Sequence, residues 1–172
     1  MVLLFRFLLI MFLSRFRRRI GPLDEATLRF TCLPSDCDLN VHMNAGRYLS
    51  FMDAGRVELI GRMRIFRDVM KRGWRPINAG SVIRFRRSVL PFQRFTLRSR
   101  VIGWDEKWIY FEHIIERGGE LCAIANARGL FRGPQGNVAP IELLELAGLA
   151  HDAQSPALPE FVQRWRDAEN VR

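Results

Sequence analysis

Two hydrophobic periods divide this chain. Residues 26–33 (Ala-Thr-Leu-Arg-Phe-Thr-Cys-Leu) alternate and stop at Pro34, the period-2 pattern of a half-buried strand ended by a residue that cannot extend a ladder. From Asn44 to about Met70 the period lengthens. Tyr48, Met52, Gly55 and Leu59 recur at intervals of four, three and four, which is one face of a 3.6-residue helix. Asn44 is a good N-cap and Gly73 closes the segment. Gly55 and Gly61 each weaken so long a helix by roughly 1 kcal/mol relative to alanine, which predicts a kink or break near Gly61. Gly55, on the apolar stripe, also predicts a close approach to a sheet.

The second half reads as strands. Residues 79–89, 95–103, 108–117 and 121–131 are β segments, with turns at Leu90-Pro91, Asp105-Glu106 and Gly118-Gly119. Ala123, Ala125, Ala127 and Gly129 give the last strand a small-residue face against which a helix can press. The pattern predicts an α+β fold, an antiparallel five-stranded sheet wrapped around a long central helix. A Pro/Gly loop over 133–140 leads to short helices at about 141–149 and 160–170. The expected organisation is a hydrophobic and basic segment (1–20), one domain (21–140) beginning near Pro22, and a helical extension (141–172). No internal repeat is evident.

Residues 1–13 are apolar except for Arg6, and Arg15, Arg17, Arg18 and Arg19 follow. Thirteen residues fall short of the ~20 that cross a bilayer. A signal peptide would carry its charge before the apolar run, with a small-residue cleavage site after it. The expected role is an interfacial helix, apolar body in lipid and arginines at anionic headgroups; a later start at Met11 and a helix packed on the domain are the alternatives. These five arginines, with no acid among residues 1–19, supply five of the nine net positive charges. The excess therefore sits in the tail, which argues against a nucleic-acid partner.

The 172 residues, 48% hydrophobic and 26% charged, suit one globular domain. Cys32, Cys37 and Cys122 are odd in number and lack metal-ligand spacing. They are expected to be free thiols in a reducing compartment, placing the protein in the cytoplasm, against the inner face of a membrane if the tail anchors it. No Walker loop, G-x-G-x-x-G or H-E-x-x-H occurs, so no metal or other cofactor is expected.

Candidate chemistry is concentrated in Asp38-Leu39-Asn40-Val41-His42-Met43-Asn44-Ala45-Gly46-Arg47-Tyr48. On an extended or turning backbone, alternation sends Asp38, Asn40, His42 and Asn44 to one side and Leu39, Val41 and Met43 to the other. A carboxylate can activate water or attack directly, and an imidazole, with an ordinary pKa of ~6.5, carries protons near neutrality. The first-turn amides at Asn44 and Ala45 are the expected oxyanion site, where the helix dipole favours negative charge. Quieter readings stand beside these: Asp38 in an Asx-turn, Asn40 as a turn residue, Asn44 as a cap only, His42 as a loop-orienting group. His113 reads as a core histidine, His151 as a loop residue, and Cys37 as pointing away from Asp38.

The spacing D-x-N-x-H-x-N-x-x-x-Y resembles the hotdog-fold thioesterases, and its D-x-N-x-H part is similar to the plant and bacterial acyl-ACP thioesterases. Asp36-Cys37-Asp38 resembles the opening of the 4-hydroxybenzoyl-CoA thioesterase family. Arg84–Phe92 and Gly103–Trp108 are most similar to the branch containing the animal thioesterase superfamily member six. The resemblance covers roughly residues 25–132. It implies a hotdog fold, with Asp38, Asn40 and His42 acting together on an acyl-CoA or acyl-ACP thioester. Arg84 and Arg86, on one strand face, and Tyr48 are the expected substrate contacts, with Arg98 and Arg100 on a neighbouring strand; a solvated outer sheet face explains the arginines equally well. Met52, Met63, Phe51 and Phe66 line an acyl tunnel or, more simply, the core. A homodimer or dimer of dimers is expected, since a lone sheet leaves open edges. The alternative function is a catalytically silent hotdog module that binds lipid or protein at a membrane.

Overall fold

The computed structural model describes residues 2–169. Helix α1 (Val2–Ser14) precedes strand β1 (Ala26–Thr31), a single 3₁₀ turn (Pro34–Asp36), the long helix α2 (Ala45–Met63) and the short α3 (Phe66–Lys71). Strands β2 (Arg75–Phe85), β3 (Arg94–Trp104), β4 (Ile109–Arg117), β5 (Glu120–Gly133) and β6 (Gly136–Val138) follow, then α4 (Pro140–Leu146) and α5 (Glu160–Glu169). The sheet is antiparallel in the order β1-β3-β4-β5-β2, with three-residue β6 pairing the end of β5. Its inner face meets α2, as the alternation predicts. Leu97, Ser99, Ile109, His113, Ile115, Ala123, Ala125 and Ala127 are all buried.

Gly55 has the expected role. A Cβ there would collide with the Ser99 hydroxyl and reach 3.2 Å from Leu97 Cδ2, so α2 rests directly on β3. Ala123 and Ala125 share a core cluster with Tyr48, Phe51 and Met52. Gly61 does not break the helix. It lies beneath buried Ser14 of α1, whose side chain a Cβ would strike. The break expected near Gly61 comes three residues later at Arg64, in the left-handed region at φ 66, and α3 resumes at Phe66. Strand β2 starts at Arg75 rather than residue 79 because Pro76 is tolerated on an edge strand, and a register shift between Asn78 and Gly80 hides the alternation.

Residues before Pro22 also touch the domain, as the packed-helix alternative expects. Helix α1 packs on α2 through buried Ile10 and Ser14, while Leu4, Phe5, Leu8, Phe12 and Phe16 face outward. No described helix is long and apolar enough to cross a membrane. On the opposite side of the sheet, Leu158 and Val162 cover Ile102 and Tyr110.

Candidate active site at the start of the central helix

The chain enters the site as a tight turn rather than an extended ladder. Cys37 and Met43 form an isolated antiparallel bridge. Within it the Asp38 N–H donates to the His42 carbonyl at 3.0 Å, and the Val41 N–H to the Asp38 carbonyl at 3.0 Å. Val41 takes φ 58 to close the turn. Alternation therefore fails here: Leu39 is fully exposed, Val41 is exposed, and only Met43 enters the core. The turn brings Asp38 and His42 together, with Asp38 Oδ1 3.6 Å from His42 Nδ1. Asp38 Oδ1 also accepts the Asn40 N–H at 2.9 Å, an Asx-turn. Asn40 thus contributes its backbone; its side chain is exposed at the tip and does not line the pocket.

The base of the turn is a buried carboxylate. Asp36 is 2% exposed and accepts three contacts of 3.1 Å from both terminal nitrogens of Arg6. The Leu33 N–H adds a fourth at 3.0 Å, and Arg47 Nε lies 3.8 Å away. The Asp36 carbonyl accepts the Asn44 N–H at 2.9 Å, and Asn44 Oδ1 caps α2 by accepting the Gly46 N–H at 2.9 Å. Asn44 is consequently a cap and a brace. Its amide is occupied and cannot serve an oxyanion, contrary to the expectation from position alone. Ala45 lines the pocket, and its first-turn N–H has no partner among the described hydrogen bonds.

Asp38, His42 and Ala45 open onto a cavity of about 310 Å³ whose other walls are Tyr48, Phe85, Arg86, Arg87 and Ser88. Tyr48 is buried and sits edge-on to Phe85, ring centroids 5.0 Å apart. Burial pushes its hydroxyl pKa up, so it stays a neutral hydrogen-bonding group. Arg86 has no ion-pair partner among the described residues. Arg84 is elsewhere: strand alternation turns it to the outer face, where its guanidinium carbon lies 5.0 Å from the Phe161 ring. Its neighbour Phe85 faces the site instead. Arg98 and Arg100 are paired with Glu25, Glu116 and Glu112 on that outer face.

A second cavity, about 280 Å³ and mostly apolar, lies under the other half of α2 among Leu59, Met63, Ile77, Phe111, Phe131 and Leu143. Of the four expected tunnel residues only Met63 reaches it. Phe51 and Met52 are core residues, and Phe66 borders a separate groove beside α1. The thiols of Cys32 and Cys37 are free and 3.6 Å apart on the core side of the turn. His151 pairs with Glu145 in the C-terminal region. Among the described residues no cluster of three metal-ligating side chains occurs. Sequence reasoning gave Asp36 and Arg6 no part in the site. The D-x-D spacing was the available signal for the first; nothing local marks the second.

The family model of the thioesterase-like superfamily matches residues 32–166. Protein THEM6 of Xenopus laevis is 38% identical over 156 residues, covering 87% of this chain and 73% of that one. Protein THEM6 of Drosophila melanogaster is 28% identical over 157 residues, covering 89% and 78%. The crystal structure of a 4-hydroxybenzoyl CoA thioesterase complexed with 4-hydroxybenzoyl CoA superposes with a TM-score of 0.63 at 18% identity, covering 72% of this chain and 99% of that one. That last likeness concerns the fold, which is the hotdog fold.

Proposed function

The chain belongs to the thioesterase-like superfamily, on its THEM6-like branch, and we propose that this thioester hydrolase acts on acyl-CoA through Asp38 and His42. The observation that carries the reading is the Asp38–His42 pair, 3.6 Å apart at the mouth of a cavity that begins at the first turn of α2. Asp38 either takes a proton from a water that attacks the thioester carbonyl, or attacks it directly to give a mixed anhydride that a water then hydrolyses. The tetrahedral oxyanion is met by the Ala45 N–H and the positive end of the α2 dipole. The C–S bond then breaks, and His42 delivers a proton to the departing thiolate. Arg86 is left to meet a phosphate of the CoA, and Tyr48 and Phe85 flank the acyl group. Steady-state hydrolysis of acyl-CoAs of graded chain length, beside the matching acyl-ACPs, tests substrate class. Turnover on acyl-ACP alone would sink the CoA assignment.

The same reading includes a second copy of the chain. Strand β2 is an edge strand of eleven residues, and it runs directly into the cavity wall at Phe85 and Arg86. A partner paired along this edge would satisfy its backbone groups and stand at the rim of the site. Light scattering is expected to give a dimer or dimer of dimers; an active monomer contradicts this.

A membrane contact is favoured by one further observation. The outward face of α1 presents Phe5, Leu8 and Phe12, and exposed Phe16, Arg15, Arg18 and Arg19 follow just past its end, the two signals that reversible interfacial attachment needs. The protein is expected to sediment with anionic vesicles less as salt rises. Phe5→Ser with Phe12→Ser should abolish sedimentation. Unchanged sedimentation of that variant removes α1 from the contact.

A further inference from the structure

We propose that Arg6 is a positioning residue for thioester hydrolysis: from α1 it fixes Asp36, and through Asp36 the base of the turn that carries Asp38 and His42. The inference rests on the reading of Asp38 and His42 as the reacting pair. Arg6 itself is well held, its guanidinium carbon 5.1 Å from the centroid of the Phe51 ring. Both terminal nitrogens of its fork contact the Asp36 carboxylate, the planar geometry that lysine cannot copy. Asp36 in turn ties the chain at two backbone points. Its side chain takes the Leu33 N–H, closing the 3₁₀ turn, and its carbonyl takes the Asn44 N–H at the start of α2. The bridge Cys37–Met43 springs from that base, and Asp38 and His42 are the next residue on each strand.

A carboxylate taken out of water needs its charge and its lone pairs satisfied. Without Arg6, Asp36 keeps one backbone donor and the Arg47 Nε at 3.8 Å, too long for a hydrogen bond. The carboxylate must then move toward solvent or draw Arg47 inward, and the turn moves with it. Displacement of a reacting group by about 1 Å can cost ~10²-fold in rate. The molecule contains its own control. Arg17 donates to fully buried Glu58 at 2.7 Å, a second tether between the N-terminal segment and α2. Glu58 lies well along the helix and lines neither cavity.

The test compares Arg6→Ala, Arg6→Lys and Arg17→Ala with the full-length protein in kcat, KM and thermal unfolding. Arg6→Ala should lower kcat at least ~10-fold with KM within ~2-fold, and millimolar guanidinium should restore part of it by refilling the fork site. Arg6→Lys should fall between. Arg17→Ala should lower Tm while keeping the wild-type kcat per folded molecule, with no response to guanidinium. Wild-type kcat in Arg6→Ala overturns the inference, as does an equal, guanidinium-insensitive loss in both alanine variants. If Arg6→Ala does not fold, wild-type kcat in Arg6→Lys overturns it instead. Asp38→Asn is run alongside. If that variant is active, the site reading and this inference both fall; if it is inactive while Arg6→Ala is fully active, this inference alone falls.

Discussion

Two groups of polar side chains lie against α2, one at its first turn and one beneath its middle, and each contains a histidine. Beneath the middle, fully buried His113 has Nδ1 2.8 Å from Ser99 Oγ and Nε2 3.3 Å from an Arg56 guanidinium nitrogen. Arginine can only donate, so Nε2 accepts and Nδ1 carries the proton toward the serine. Burial, and then the Arg56 charge, push the His113 pKa down to about 3. At the first turn, His42 is partly exposed and faces a carboxylate. One imidazole is locked in one tautomer and kept neutral; the other keeps access to water and to a proton partner. Residue type alone does not make a site. Solvent access and the sign of the neighbouring charge do.

The strongest way to break this contrast is by pH. Between an unfolded pKa of ~6.5 and a folded value of about 3, the unfolded chain binds a proton at His113 that the folded chain refuses. This contribution is therefore fully present above pH ~6.5 and is lost as pH falls, by about 1.4 kcal/mol per pH unit at its steepest. Denaturant unfolding at pH 7, 6 and 5 should show that slope in the wild type, and His113→Gln should flatten it. A slope identical in the two proteins contradicts the account of the core.

A smaller effect sharpens the contrast from the other side. Asn44→Ala removes the cap on Gly46 and should cost about 1 kcal/mol, measured by the denaturation midpoint. The Asn44 N–H to Asp36 brace is backbone and survives, so kcat per folded molecule should fall by less than ~10-fold. A larger loss would assign the Asn44 side chain a direct part in the reaction. The core network should be untouched, leaving the pH slope of stability as in the wild type.

What the sequence revealed follows the range of the interactions concerned. Period-2 and period-3.6 patterns report contacts repeated along an element, so the strands, the central helix, the close approach at Gly55 and the core position of His113 were legible. The Asp38-to-Tyr48 run lines one cavity through Asp38, His42, Ala45 and Tyr48. Period failed where the backbone turned. Val41 at φ 58 converts an apparent ladder into a reverse turn, sets Leu39 in solvent and leaves Asn40 at the tip. Arg84 was read with Arg86, yet the strand ends at Phe85 and the two arginines part. The longest-range contacts, those of α1, were not legible: nothing within residues 1–19 signals that Arg6 pairs with a carboxylate thirty positions later or that Ser14 seats on Gly61.

The central claim is that the reacting carboxylate is Asp38, at the mouth of the pocket and two residues beyond the buried brace Asp36. Its most direct test is single-turnover hydrolysis of an acyl-CoA that the wild type cleaves, using Asp38→Asn purified to the same thermal midpoint. The amide keeps the side-chain oxygen that can accept the Asn40 N–H and removes only the ability to take a proton or attack. The account predicts an intact fold and a rate at least ~10²-fold lower. A folded Asp38→Asn protein that hydrolyses the thioester at a near-normal rate would contradict it.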